Sequence, residues 1–474
     1  MPEIQAIELV KEPGIGFAKR TSLLIGSRLL KLFVQLIILY YYSRNLSYDE
    51  YGIYQSVWLY INVISVISLF GLPSLLLSSS NRDIKKWIKD NKKIFLPAAL
   101  LCNLIPILYI LVGTEYYSSS DRALIIALTI IQNVTIILET IAIKNIKEKQ
   151  VFIANIIFNA GYLVSHILVL KKGYSLSLLL SWLLVVFFLK ILLFLPFRAN
   201  EVHATDHKAD TGKQWFFLGL FDVVSVLYKW LDKWVILIFI SVSQFAVYLN
   251  GAYEIPVFAL LASAVGNIMV VELSRQNFTD PVKVKSLFMS SAIFLASVVF
   301  PSFCFLLFYH REIFILLFSS KYEAAIPVFL ISIFVIPVRI TNFTTALQVY
   351  NRNDLVLKGA VLDILLAIIL MVILYPFLKL PGLALAFVLS TYFQSAYYLW
   401  HTSLLLKKNI SYFFPFRKLL LMMLISLIIA GIAYYLLSLL AYPYNIIGGA
   451  GICVALITVF LWHYFSQHPR VISG

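Results

Sequence analysis

Fourteen long apolar stretches occupy most of the chain, at residues 21–43, 52–79, 94–113, 122–143, 151–170, 174–196, 215–240, 247–273, 286–309, 324–350, 355–378, 382–405, 418–440 and 445–465. Each is long enough to cross a bilayer as a helix, because about 20 residues rising about 1.5 Å each cover the ~30 Å hydrocarbon layer. No water-soluble globule uses so much apolar surface: 61% of the residues are hydrophobic and 13% charged, against about 45–50% and about 25% in an ordinary domain. The chain is therefore expected to be an all-α integral membrane protein of about fourteen transmembrane helices. Spans of about 20 to 22 residues leave only about 170 of the 474 residues for loops and tails, which excludes a soluble catalytic domain.

The longest polar stretch, Arg198 to Gln214, separates six helices from eight. The expected organisation is an N-terminal lobe of helices 1–6 (residues 1–197), a cytoplasmic linker (198–214), a C-terminal lobe of helices 7–12 (215–410) and two extra C-terminal helices (411–474). The first twenty residues are polar and mixed in charge, which predicts insertion from an uncleaved first helix. A weak repeat follows the division. LSYDEYGIYQSVW, beginning at Leu46, and ISVSQFAVYLNGA, beginning at Ile240, match in character when Tyr51 and Gly52 are aligned on Phe245 and Ala246. Six helices per lobe gives both lobes the same orientation, related by an axis along the membrane normal.

The 38 Lys and Arg against 23 Asp and Glu would suggest nucleic acid in a soluble protein, but their placement gives another account. With a cytoplasmic amino terminus, 25 cations fall in cytoplasmic loops and tails and seven on the opposite face. This is the positive-inside bias, with both termini in the cytoplasm of a multi-pass inner-membrane protein and no nucleic-acid partner. The densest loop, with Arg82, Lys85, Lys86, Lys89, Lys92 and Lys93, is read first as a topology signal, although such a cluster could also meet anionic headgroups of membrane lipid.

Six cations remain inside the apolar stretches: Arg28, Lys31, Lys190, Lys229, Lys233 and Arg339. Lys190 lies near a helix end and is expected to snorkel. By residue count Lys31, Lys229, Lys233 and Arg339 fall near mid-depth, with Arg28 one turn from Lys31. Each costs about 2.5–3.5 kcal/mol in hydrocarbon, so they are expected to face a wet or polar interior. Arg28, Lys31 and Gln35 share a face of the first helix, and Asp222, Ser225, Lys229, Asp232 and Lys233 share one of the seventh. Gln55, Trp58, Asn62 and Ser65 form a polar face on the second, and Asn250 and Glu254 lie on the eighth, where Pro256 predicts a kink. For the seventh helix two readings stay open: an internal ion-pair network, or cations presented to an anionic ligand. Arg28, Lys31 and Arg339 have no acid on their own helix, which favours the anion, and the planar guanidinium matches phosphate oxygens.

Other chemistry is poorly served. Cys102, Cys304 and Cys453 lie in apolar runs with no disulfide or metal spacing. His203 and His207 with Asp206 and Asp210 sit in the polar linker, and His166 is expected to be a hydrogen-bonded packing residue. No Gly-rich loop ends in Gly-Lys-Ser or Gly-Lys-Thr, so no nucleotide, and no other cofactor, is expected. No outer loop is long enough to carry a membrane glycosyl-transfer site, which disfavours an enzyme.

Ser27 and Arg28, SRNLSYDEYGIYQ from Ser43, and GLPSLLLSSSNR from Gly71 to Arg82 resemble the amino-terminal pattern of polysaccharide flippases of the multidrug/oligosaccharidyl-lipid/polysaccharide exporter superfamily. LDKWVILIFISVSQFAVYLNGAYEIP, from Leu231 to Pro256, is similar to the family's second repeat, with Ala246 standing where that repeat often has Gly. The resemblance implies two six-helix lobes around a cavity that opens alternately to either side. It implies a cargo of undecaprenyl-diphosphate-linked oligosaccharide (O-antigen, capsule or a related repeat unit) and a polymerase and other assembly proteins as partners. It places Arg28 and Lys31 in the cavity, while Lys229, Lys233 and Arg339 are assigned there by the physical argument alone. Gln35, Gln55, Asn62 and Asn250 would serve the sugars, and Asp232 or Glu254 would bind a coupling ion. The alternatives are a cation-coupled drug exporter, which would favour an acidic cavity, and a peptidoglycan-precursor flippase.

Overall fold

The computed structural model describes residues 15–78, 81–113, 116–144, 148–194, 211–275, 281–340, 344–350 and 352–467. Most of the expected linker lies outside the described residues, as do His203, Asp206, His207, Asp210 and the side chain of Arg28. The described residues are helical, with no strand. Ten helices are long and apolar enough to cross a membrane, or eleven if one bent pair counts as a single span. The further long helices that contain expected spans are α1 (Ile15–Asn45), α9 (Thr211–Phe239) and α17 (Leu380–Leu406). The first two carry the intramembrane cations, and charge is what lowers their apolar content.

The chain forms two compact units, Met1–Leu46 with Ile53–Val226, and Ser47–Gly52 with Leu227–Gly474, and the division falls inside α9. The first unit holds α1, α2 (Tyr48–Leu69) beyond its first turn, α3 (Leu72–Ser78), α4 (Asn81–Asp90), α5 (Lys92–Gly113), α6 (Ser119–Lys144), α7 (Glu148–Lys171), α8 (Leu176–Phe194) and the start of α9. The expected second span is broken, because Phe70 and Gly71 take positive φ values of 33° and 72°. A Cβ at Gly71 would strike Gly219 of α9, so a glycine is needed for both its backbone and its neighbour. α4 is amphipathic: Trp87 and Ile88 pack with Leu75 and Trp215, while Lys86 and Lys89 are exposed.

His166 of α7 is fully buried, the packing residue its sequence context predicts. Its Nδ1 lies 2.7 Å from the Tyr162 carbonyl and its Nε2 3.1 Å from the Tyr54 hydroxyl. A carbonyl only accepts, so Nδ1 carries the proton and Nε2 accepts from Tyr54. Both ring nitrogens are satisfied without a charge.

The second unit holds the rest of α9, α10 (Val242–Gly251), α11 (Pro256–Arg275), α12 (Pro281–Phe308), α13 (His310–Phe318), α14 (Ile326–Ser332), α15 (Thr345–Val349), α16 (Asn353–Leu378), α17, α18 (Ile410–Phe413), α19 (Phe416–Leu437) and α20 (Tyr444–Gln467). α10 and α11 bend by 57° across their break, where the sequence places Pro256 and the kink is expected. Within the stretch expected as one span over 324–350, Ser320–Ile340 is long and apolar enough to cross a membrane, and its winding changes along it: a 3₁₀ turn at Ser320–Ala325, α14 and a second 3₁₀ segment at Ile333–Ile340, with α15 following. Pro337 lies inside the second 3₁₀ segment, where it withholds a backbone donor.

The head of α2 is built into this unit. Tyr51 donates its hydroxyl to Asn250 Oδ1 at 3.0 Å, and Tyr48 meets Tyr322 with ring centres 5.0 Å apart. Gly52 abuts Val242 so closely that a Cβ there would collide with its carbonyl oxygen. The two segments that match as a sequence repeat thus touch one another.

Candidate functional site

The intramembrane charges of the second unit come from four elements. Along α9, Lys229 is exposed and Lys233 turns to its neighbour, with Nζ 3.0 Å from both Asp232 carboxylate oxygens. Asp232 is buried and also accepts the Tyr248 hydroxyl of α10 at 2.9 Å. Glu254, in the break between α10 and α11, forms an ion pair with Arg339 of the second 3₁₀ segment. Lys233 and Lys229 both lie within electrostatic reach of Glu254. Three cations therefore face two acids, leaving one positive charge in excess.

The expectation that Arg339 stands without an acid is corrected: its own segment carries none, but the chain brings Glu254 from 85 residues away. That pair is open, with side chains 36% and 48% exposed. It borders a cavity of about 20 Å³ lined by Tyr253, Phe258, Ser332 and Ile336. Such a space takes about one water molecule, so the charged side chains, not this hollow, are what a larger anion would meet. Asn250 is buried, accepting from Tyr51.

In the first unit, Lys31 and Gln35 are exposed on α1, and Gln55 and Asn62 are half-buried on α2. Lys31 lies within electrostatic reach of Glu139 of α6. Lys190 does not snorkel. Its Nζ bonds Glu139 Oε2 at 2.9 Å with the side chain 8% exposed, and Asn155 donates to the other carboxylate oxygen at 3.2 Å.

One acid escaped the sequence reading. Asp363, nine residues after the last acid before it, lies in the apolar run of α16 and is fully buried. Among the described residues it forms no ion pair, and the polar side chains nearest its carboxyl group are Ser390 and Tyr228. The Ser390 hydroxyl also lies 3.0 Å from the Phe387 carbonyl, and the Tyr228 hydroxyl 2.8 Å from Thr391 Oγ1. An ionised carboxylate with no cation beside it is costly to bury, so Asp363 is a place where a proton can be held. Counting acids by depth, as was done for cations, would have found it.

Long apolar helices that carry a cluster of basic and acidic side chains define a multi-pass membrane protein. The chain belongs to the polysaccharide biosynthesis protein family, whose model matches residues 41–327. Among solved structures, its fold is similar to a lipid II flippase, MurJ, in an inward closed conformation. The TM-score is 0.68 at 17% identity, covering 96% of this chain and 100% of that one. It is also similar to an inward-facing multidrug resistance MATE transporter of the MOP superfamily, with a TM-score of 0.53 at 12% identity, over 80% of this chain and 94% of that one. No curated protein matches the chain. The family ties the chain to polysaccharide biosynthesis, and its fold is one that a flippase and a transporter share.

Proposed function

We propose that the protein is a flippase that moves an undecaprenyl-diphosphate-linked oligosaccharide, such as an O-antigen or capsule repeat unit, across the cytoplasmic membrane by alternating access, with both termini in the cytoplasm. The observation that carries this reading is the excess of cation over acid where Lys229, Lys233, Arg339, Asp232 and Glu254 come together. A diphosphate brings about two negative charges that cannot cross hydrocarbon alone. Arg28 and Lys31 of the first unit are proposed as further cations for an anionic cargo, with Gln35, Gln55 and Asn62 as partners for sugar hydroxyls, while the prenyl tail stays in lipid. Membership of a polysaccharide biosynthesis family supports a glycan cargo, and a polymerase is the natural consumer of the product.

For the coupling ion, Asp232 and Glu254 are engaged with Lys233 and Arg339. Asp363 is the acid left to bind a coupling cation. The test is surface polymer in cells carrying Arg28→Ala or Arg339→Ala at normal protein abundance. Loss of polymer is expected in both, and wild-type polymer in both would reject the diphosphate-binding role.

A further inference from the structure

No Asp or Glu follows Asp363, so the rest of the chain is charged by cations alone. One of them, Lys408, meets a lysine from earlier in the chain at a single ring. Lys285, in the first turns of α12, holds its Nζ 4.6 Å from the centre of Tyr412, and Lys408, just past the end of α17, holds its Nζ 5.4 Å from the same centre. α18 fixes the ring between them: Phe413, the next residue, is fully buried, and its ring centre lies 5.7 Å from that of Phe288 in α12. Lys407, Arg417 and Lys418 flank this arrangement and are exposed. Among the described residues none of the five forms an ion pair.

The fold supplies no internal reason for this concentration. Lys407 and Lys408 follow the carbonyl end of α17, where cations are favoured, but Arg417 and Lys418 occupy the first turn of α19, where the helix dipole opposes them. A topology signal needs only a count of loop cations. It does not need lysines from two separate segments to converge on one tyrosine ring, where they repel each other. Their position at the ends of α12, α17 and α19 is the level of a membrane interface. One turn further along α19, Leu420, Leu421 and Leu424 are exposed.

We propose that Lys285, Tyr412 and Lys408, flanked by Lys407, Arg417 and Lys418, bind the phosphate headgroup of an anionic phospholipid from the surrounding bilayer, with its acyl chains along Leu420, Leu421 and Leu424. The charge complementarity selects an anion, and the continuous apolar strip selects one that carries lipid tails. This site is separate from the cargo cations and stands without the flippase reading.

Native mass spectrometry of the full-length protein in neutral detergent, titrated separately with phosphatidylglycerol and phosphatidylcholine, tests it. Phosphatidylglycerol is expected to bind preferentially. K285Q/K408Q should weaken it about thirty-fold, about five-fold for each lysine near an anionic surface, and leave phosphatidylcholine binding unchanged. The K171Q/K172Q control should bind as wild type. Equal binding of the two lipids, or wild-type phosphatidylglycerol affinity in K285Q/K408Q, would overturn the proposal. Displacement by inorganic phosphate would also overturn it, reassigning the site to a free anion. Should K285Q/K408Q fail to fold, a photoreactive phosphatidylglycerol on the wild-type protein decides: label in residues 407–418 supports the site, and label only elsewhere rejects it.

Discussion

Glu139→Gln removes one charge from the first unit while keeping the shape of the side chain. Lys190 is then left 8% exposed, above the Phe158 ring at 4.8 Å, with no acid beside it. Breaking a buried pair from one side costs about 3–5 kcal/mol, because the remaining charge has lost its compensation. Glu139 itself is 28% exposed and glutamine can still accept from the ammonium, so the lower end, about 3 kcal/mol, is expected. That is a more than hundred-fold shift in the unfolding equilibrium. Glu139→Gln with Lys190→Met removes both charges and should recover most of the loss, since a buried pair replaced by groups of similar volume is often near neutral. Unfolding of wild type, both single variants and the double variant in one detergent gives the coupling. A Glu139→Gln protein as stable as wild type would refute the argument. So would a double variant no better than the worse single, since the charge balance would then not be what the pair supplies.

Asp363→Asn keeps the shape and an acceptor for Ser390 and Tyr228 while removing the ionisable group, so folding should be retained while transport, measured as appearance of outward-facing glycan lipid in vesicles, loses its dependence on an imposed cation gradient. Retained dependence would remove Asp363 from coupling. Gly52→Ala puts a methyl against the Val242 carbonyl and 2.7 Å from its Cγ1. Overpacking costs about 1–3 kcal/mol, and an unchanged unfolding midpoint would show that the head of α2 is not held against Val242.

The membrane class was legible in the sequence because it depends on local composition. The bend at Pro256 was legible because proline acts on its own backbone. What was not legible depends on partners far apart in the chain. Lys190 looks like a snorkelling lysine until Glu139 is packed beside it, 51 residues away. Arg339 looks unpaired until Glu254 arrives. The break at Phe70 and Gly71 has a local cause, but the need for glycine comes from Gly219. The stretch 324–350 reads as one span and Ser320–Ile340 is long and apolar enough to be one, but hydropathy does not register the change to 3₁₀ winding around Pro337. Asp363 differs again: it stands alone in an apolar run with no polar residue at helical spacing to mark a face, although an acid in hydrocarbon carries the same penalty as a cation.

The pairing of Arg339 with Glu254 does not weigh against an anionic cargo, and its exposure is the reason. An ion pair as open as this one contributes at most about 1 kcal/mol, so a phosphate that exchanges for Glu254 gives up little and gains a doubly charged partner for the same guanidinium. Lys233 differs, because Asp232 is buried and holds a second bond from Tyr248. Prising that lysine away would leave a buried carboxylate with one donor. The five side chains thus divide by burial. Arg339 and Lys229 are the cations free to change partners, whereas the Lys233 and Asp232 pair is a fixed part of the frame that holds α9 against α10. On the proposed function, displacing Glu254 would raise by one the accessible positive charge that a diphosphate meets.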